Sequence, residues 1–497
     1  MLRQTARVHA LPDASVPAPS RALVKLARTS TAPPPAQPSI SPTSRQTMVS
    51  FRVSLLALLG ALAATDAANQ ECRYEGGSNC SLDSLPAVAK TDSVLIYPGG
   101  KTRCAFDDYV EPTTNFTTNA TFFFQFMPSV VKSSKLMIYF QAGGACIDDT
   151  TCDYNLLCSM PQAIFSTVAK AADGGIFNRT HEDNPFMDWN IVHVPYCTGD
   201  LHLGNDVRSM PESPYAQFLG KPSCLGHNMT IHQVGYENAM AAFDWAKANF
   251  PSPSELILGG SSAGSMAAQL YSAHVAKTWE TQAKKIPYAV LGDSYVGVFP
   301  DKSVATILKY YGMCNHTIFP EELRSECHQN NLTVSKVISH MVKHTQTETW
   351  LFVNSKQDMV QRLFYQIVHD GVAGYPFPNL ISGDDFFAKA QEMIDTYKSL
   401  SSQVTSYVVE GLAHIFVADE RLYSTVDTTN SSLVSYIKNW TENVMSSPAT
   451  ADQQNKTADG SKAGSKAGRP ATSSAPARKF QAIIGATALA ALLVTFA

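Results

Sequence analysis

No paired C-x-x-C knuckle and no H-E-x-x-H run occurs in the chain, so the common ligand spacings of a zinc site are missing. Internal repeats, heptad runs and long linkers are equally absent between residues 72 and 445, which excludes solenoids and coiled coils there. Cysteine is missing before residue 72 and after residue 327. Acidic residues are missing from residues 1–47 apart from Asp13, in a stretch rich in Ser, Pro and Arg that offers little to a core. What remains is a single uninterrupted globular stretch of about 375 residues, large but allowed for one α/β domain with insertions.

The two ends read as processing signals. Met48 opens "MVSFRVSLLALLGALAATDAANQ", with basic Arg52, an apolar run from Val53 to Ala64 and small residues around Thr65-Asp66-Ala67. That is the layout of a secretory signal peptide over 48–67. The low-complexity extension 1–47 fits a mis-called start codon better than a transit peptide. At the other end, a Ser/Ala/Gly/Lys linker over 446–479 leads to the apolar tail "FQAIIGATALAALLVTFA", Phe480–Ala497, with no Lys or Arg behind it. Small residues upstream (Ala463-Gly464-Ser465, or Thr472 to Ala475), a polar spacer and that tail form a GPI-anchor pattern. A plain tail-anchored helix is the rival, barely long enough to span a bilayer.

Export agrees with the cysteines. All ten lie between Cys72 and Cys327, an even number confined to the lumenal stretch, and Cys314 and Cys327 are close enough to pair with each other. Ten N-x-S/T sequons fit a glycosylated surface: Asn79, Asn115, Asn119, Asn178, Asn228, Asn315, Asn331, Asn430, Asn439 and Asn455. The net charge of −4 hides a split, because both ends are basic and about −13 is left on residues 68–448. A body so acidic repels nucleic acid and offers no general attraction to a polyanion.

Within 68–445, short apolar runs alternate with helical stretches. "KLMIYFQ" (135–141), "WNIVHVPY" (189–196), "ELILGG" (255–260), "IPYAVLGD" (286–293), "TETWLFVNS" (347–355) and "QVTSYVVEG" (403–411) read as strands. "ENAMAAFDWAKANF" (237–250) and "AGSMAAQLYSAHVAKTW" (263–279) read as helices, the first stopped by "PSPS". Strand and helix in series imply a mostly parallel sheet covered on both faces, an α/β fold.

"LILGGSSAGSMAAQL" (256–270) frames one serine, Ser262, as G-x-S-x-G between Gly260 and Gly264. That frame arises by chance in about one chain in six of this length, and a serine N-cap after a Gly turn is the plain alternative. Context argues for more. A strand before it and a helix after it are the setting of a nucleophile elbow, with backbone passing where a Cβ would clash. A serine nucleophile needs a base and an orienting acid, supplied in such folds in the order Ser, Asp or Glu, His. Asp358 in "LFVNSKQDMVQ" and His414 in "YVVEGLAHIF" stand in that order beyond successive strands. Asp293 in "VLGDSYVG" also ends a strand and is the alternative acid. Gly143-Gly144-Ala145 in "QAGGAC" can present amides to an oxyanion beside that of Ala263.

"YFQAGGAC", "DWNIVHVPYCTGDLHLGN", "LILGGSSAGS" and "EGLAHI" together resemble the pectin acetylesterase/Notum family of serine hydrolases. The resemblance runs from about Lys135 to Val417 and implies a disulfide-containing, α/β-hydrolase-like domain. Carried over by position, it implies Ser262 as nucleophile, Asp358 as acid, His414 as base and the amides of Gly144, Ala145 and Ala263 as oxyanion donors. Family motifs read Y-L-E-G-G-G-W-C and G-x-S-A-G-G; here Gln141, Ala145 and Ser265 replace their Glu, Trp and last Gly. The donors survive these changes, whereas the acyl pocket loses an indole. Plant members of the family resemble polysaccharide deacetylases, and the animal branch removes a long acyl chain from a signalling protein.

Three readings follow. The first is a secreted or cell-surface esterase that deacetylates a cell-wall polysaccharide such as pectin, without metal or organic cofactor and held at the membrane by its C-terminal anchor. The acidic body counts against a strongly anionic pectin. The second is an esterase for lipid or protein acyl chains. The third is a non-catalytic surface glycoprotein that keeps the hydrolase fold.

Overall fold

Along the central strands, alternate side chains feed two different cores. In "LMIYF", Leu136, Ile138 and Phe140 join one buried cluster, while Met137 and Tyr139 join another. Leu256 and Leu258 part from Ile257 in the same way, and Trp350 and Phe352 from Leu351 and Val353. Strands buried on both faces need cover on both faces, which is why they read as unbroken apolar runs. The computed structural model describes residues 70–446, apart from 76–77, 90–91, 111–116, 153–173, 211–228, 346–347 and 375–378. The chain divides into units Met1–Ala64 and Thr65–Ala497, and every described residue belongs to the second. The extension 1–47, the signal peptide 48–67, the linker after Ser446 and the tail 480–497 lie outside the described residues.

The strands are β1 (Gln70–Arg73), β2 (Val94–Tyr97), β3 (Tyr109–Val110), β4 (Thr117–Thr118), β5 (Phe124–Met127), β6 (Leu136–Phe140), β7 (Asn190–Val194), β8 (Asp206–Met210), β9 (Met229–Gln233), β10 (Leu256–Ser261), β11 (Tyr288–Asp293), β12 (Thr349–Ser355) and β13 (Val404–Val409). Nine form one sheet in the order β1-β2-β5-β7-β6-β10-β11-β12-β13, and β3–β4 and β8–β9 are separate ribbons. From β7 to β13 every neighbour is parallel. Only β5 runs against both of its neighbours. The mostly parallel, α/β-hydrolase-like sheet expected from the sequence is present. Strands β1, β2 and β5, four residues each, escape a reading of the sequence because so short a run carries little periodicity.

The longer helices are α1 (Gly235–Asn249), α2 (Ala263–Trp279), α3 (Ser303–Tyr310), α4 (Glu321–His328), α5 (Val334–His344), α6 (Met359–Asp370), α7 (Gly383–Leu400) and α8 (Leu433–Ser446). Phe243 and Trp245 of α1, Met266 and Leu270 of α2, Met341 of α5 and Ile394 of α7 pack into the first cluster. Leu433, Ile437 and Trp440 of α8 close the second. Helix α2 is rich in Ala and buried almost all round, so good helix propensity and small volume let it lie close under β10 and β11.

Among the described residues, four disulfides join Cys72 to Cys80, Cys104 to Cys197, Cys146 to Cys152 and Cys314 to Cys327, the last as expected. Cys158 and Cys224 lie outside the described residues, as do Asn115, Asn228 and Asn455. Of the other sequons, Asn178 is half-buried and the rest are exposed. No helix among the described residues is long and apolar enough to cross a membrane. The parallel register places the ends of β6, β10, β11, β12 and β13 along one edge, where α/β sheets bind ligands.

Candidate active site

Two glycines allow the turn after β10. A methyl group on Gly260 would lie 2.2 Å from the carbonyl oxygen of Gly264, and one on Gly264 would lie 2.2 Å from that of Phe140. Backbone cannot yield that much, so α2 can start hard against β6 only with glycine at both places. Between them Ser262 takes φ +53° and ψ −117°, a conformation that L residues rarely hold and that marks a functional constraint. Its amide donates to the carbonyl of Asp293 at 2.8 Å. Ser262 is partly exposed, while Ser261 is 1% exposed and turned inward. The Ser261 hydroxyl donates to Asp293 Oδ2 at 2.8 Å, and the Tyr139 hydroxyl lies 2.6 Å from it.

Asp358 follows β12 and caps α6, its Oδ1 accepting from the Gln361 amide at 2.9 Å. The other oxygen, Oδ2, accepts from Gln361 Nε2 at 2.8 Å and faces His414 Nδ1 at 2.8 Å. Asp358 is 0% and His414 2% exposed, so the pair is dry. With a carboxylate on Nδ1, the imidazole carries its proton there and Nε2 is left as the basic nitrogen. The loop bearing His414 is held from several sides. Ser355 Oγ donates to the Ala413 carbonyl at 2.6 Å, Arg421 Nη1 to the His414 carbonyl at 2.7 Å, and the Met359 amide to Leu412 at 3.1 Å.

A family model, that of pectinacetylesterase, matches residues 118–363. The chain belongs to that family. No curated protein matches it. The matched span takes in the 141–146 loop, the elbow, Asp293 and Asp358, and His414 lies beyond it. Membership makes the protein a carboxylic ester hydrolase. Four disulfides among the described residues fit the oxidising route of an exported member.

Beside the elbow, the family's glycine loop leaves β6. Gln141 ties it to the neighbouring strand end: its Oε1 accepts from the Tyr196 amide at 2.9 Å, and its carbonyl lies 2.9 Å from His202 Nε2. After Gly143 and Gly144, Ala145 is fully buried, and the Cys146 amide donates to the Gly199 carbonyl at 2.7 Å. The amides of Gly144, Ala145 and Ala263 make no hydrogen bond to another described residue, so all three are left as unengaged backbone donors. The segment 196–205 is shaped by Asp200, which accepts from Thr198 Oγ1 at 2.6 Å and from the Gly235 amide at 2.7 Å. Burial raises the Asp200 carboxyl to about 6 and lowers the His202 imidazole to about 4.

The alternative acid, Asp293, does not face His414. Its carboxylate accepts from Ser261, from Ser294 Oγ at 2.9 Å, and from the amides of Phe416 and Val417 at 3.0 and 2.8 Å. Burial raises its pKa, and the hydrogen bonds from Val417, Phe416, Ser261 and Ser294 oppose that rise. Ser294, Tyr139 and Gln361 were missed by sequence reasoning. Tyr139 reaches Ser261 from a distant segment, whereas Gln361 stands three residues after Asp358 and Ser294 directly after Asp293, where only the fold shows what they bond.

Proposed function

We propose that the protein is a secreted serine esterase that removes acetyl groups from an acetylated polysaccharide, with Ser262, His414 and Asp358 as its catalytic triad. The buried 2.8 Å pair of Asp358 and His414, at the same sheet edge as an elbow serine at φ +53°, carries this reading. Ser262 Oγ attacks the ester carbonyl as His414 Nε2 takes its proton, and Asp358 stabilises the imidazolium. The oxyanion draws on the amides of Gly144, Ala145 and Ala263, the last at the N-terminus of α2, where the helix dipole adds positive potential. His414 then protonates the leaving sugar oxygen. A water molecule, deprotonated by the same nitrogen, releases acetate and restores Ser262.

Family membership favours an acetylated polysaccharide, and the charge of about −13 on residues 68–448 favours a neutral or fully esterified one over a free polyacid. A cell-surface location, through the signal peptide and a GPI or membrane tail, belongs to the same reading. Acetate release from pectin, xylan and triacetin, measured side by side, tests the substrate. p-Nitrophenyl esters of increasing chain length separate it from a long-chain deacylase. Fluorophosphonate labelling of the wild type and not of Ser262→Ala is the expected mark of catalysis. An unlabelled wild type would leave a non-catalytic surface glycoprotein as the better account.

A further inference from the structure

Taking Ser262 and His414 as nucleophile and base, we propose that Asp293 is a positioning residue for the ester hydrolysis, fixing the turn of Ser262 and the loop of His414 at once. No other described residue bonds to both. Its carbonyl accepts the Ser262 amide at 2.8 Å, and its Oδ2 accepts the neighbouring Ser261 hydroxyl at 2.8 Å. From the other side come the amides of Phe416 and Val417, two and three residues after His414. Ser294 extends the reach: it donates to Asp293 Oδ1 at 2.9 Å and accepts from the Ile415 amide at 2.7 Å.

The Ile415 bond matters because Ile415 holds φ +66°. A β-branched residue in the left-handed region is a steric outlier, and it persists only where its surroundings over-determine it. Three successive amides, 415 to 417, end on Asp293 or on the serine bound to it. The direction in which His414 leaves the chain therefore depends on that carboxylate. Asp293 is fully buried, and burying a charge is costly without several donors. A carboxylate supplies acceptors on both oxygens, whereas a carboxamide would turn a donor toward one set of these partners.

The test uses the full-length chain with Asp293→Asn, beside Ser262→Ala and Asp358→Asn. The readouts are kcat and KM on p-nitrophenyl acetate, the rate of fluorophosphonate labelling, and the folded fraction by near-UV circular dichroism. Asp293→Asn is expected to lower kcat and the labelling rate together by about 10- to 100-fold, with KM moved less than about threefold. Unchanged kcat per folded molecule would overturn the inference, since a merely structural residue lowers only the folded fraction. A loss as large as that of Asp358→Asn would also overturn it, placing Asp293 in the proton relay. Should Asp293→Asn fail to fold, Ser294→Ala removes the Ile415 acceptor together with one donor to Asp293; about a threefold or greater fall in kcat supports the proposal, and wild-type kcat refutes it. Activity in Ser262→Ala would instead overturn the triad beneath it.

Discussion

On the β6 and β7 side of the candidate site, sulfur holds the loops: Cys146 of the glycine loop is joined to Cys152, and Cys197 beyond β7 is joined to Cys104. On the β10 to β13 side, the described loops carry no cysteine at the strand ends, and buried carboxylates hold them, Asp293 at the elbow and Asp358 at the base. The two devices restrain different things. A disulfide limits where a loop can go, and so how far its amides can wander, without selecting a polar partner. A buried carboxylate selects which N–H and O–H groups point at it, because an unpaired charge there is costly. The first suits passive amide donors; the second suits a side chain that must hold one tautomer.

The largest expected effect lies on the carboxylate side. Asp358→Asn keeps the shape of the pair but lets His414 carry its proton on the wrong nitrogen, and kcat on p-nitrophenyl acetate is expected to fall by about 10⁴-fold with little change in Tm. A loss under about tenfold would mean that the 2.8 Å pair is structural. Next comes the sulfur side. Replacing Cys146 and Cys152 by Ser together frees the loop that carries Gly144 and Ala145, and kcat is expected to fall by about 10- to 100-fold as oxyanion donors lose their aim. The matching double replacement of Cys314 and Cys327 serves as the contrast. That bridge, of sequence separation 13, joins the turn after α3 to α4 and holds no loop that carries a candidate site residue, so it is expected to cost about 3 kcal/mol in denaturant unfolding and leave kcat unchanged. Equal kinetic losses in both pairs would show that disulfides act here only through global stability.

Much of the sheet was legible because its central strands are buried on both faces and therefore continuous in apolar residues. "TWLFVNS" and "LILGGS" need no partner to be recognised. Strand β5 was too short to read, and its reversal was illegible besides, because orientation is set by pairing and not by composition. At the candidate site, Ser262, Asp358 and His414 stood out because each follows a strand in the order that such chemistry requires. Asp293 stood out for the same reason, and there the sequence was ambiguous: an acid at a strand end is the same signal whichever loop it turns to. Only the three-dimensional arrangement distinguishes an acid that faces an imidazole from one that faces two hydroxyls and two amides of the loop after it.

The smallest expected effect asks whether the sulfur side also relies on a carboxylate. Asp200, in the segment that the Cys104–Cys197 bridge holds, is buried, and burial raises its carboxyl from 3.8 to about 6. The folded protein then keeps a proton that the unfolded chain releases, so between about pH 4 and 6 this group's contribution to stability falls as pH rises. Acidification through that window should favour the wild type relative to Asp200→Asn, which has no such proton to bind. One proton gives at most about 1.4 kcal/mol per pH unit, or roughly 2 °C in Tm for a domain this large. Tm curves of the two proteins should therefore converge or cross on acidification, with the wild type gaining. Parallel curves would show that the Asp200 carboxyl titrates as it does in the unfolded chain, and that the bonds from Thr198 and Gly235 fully offset its burial. The contrast between sulfur and carboxylate would then rest on the catalytic side alone.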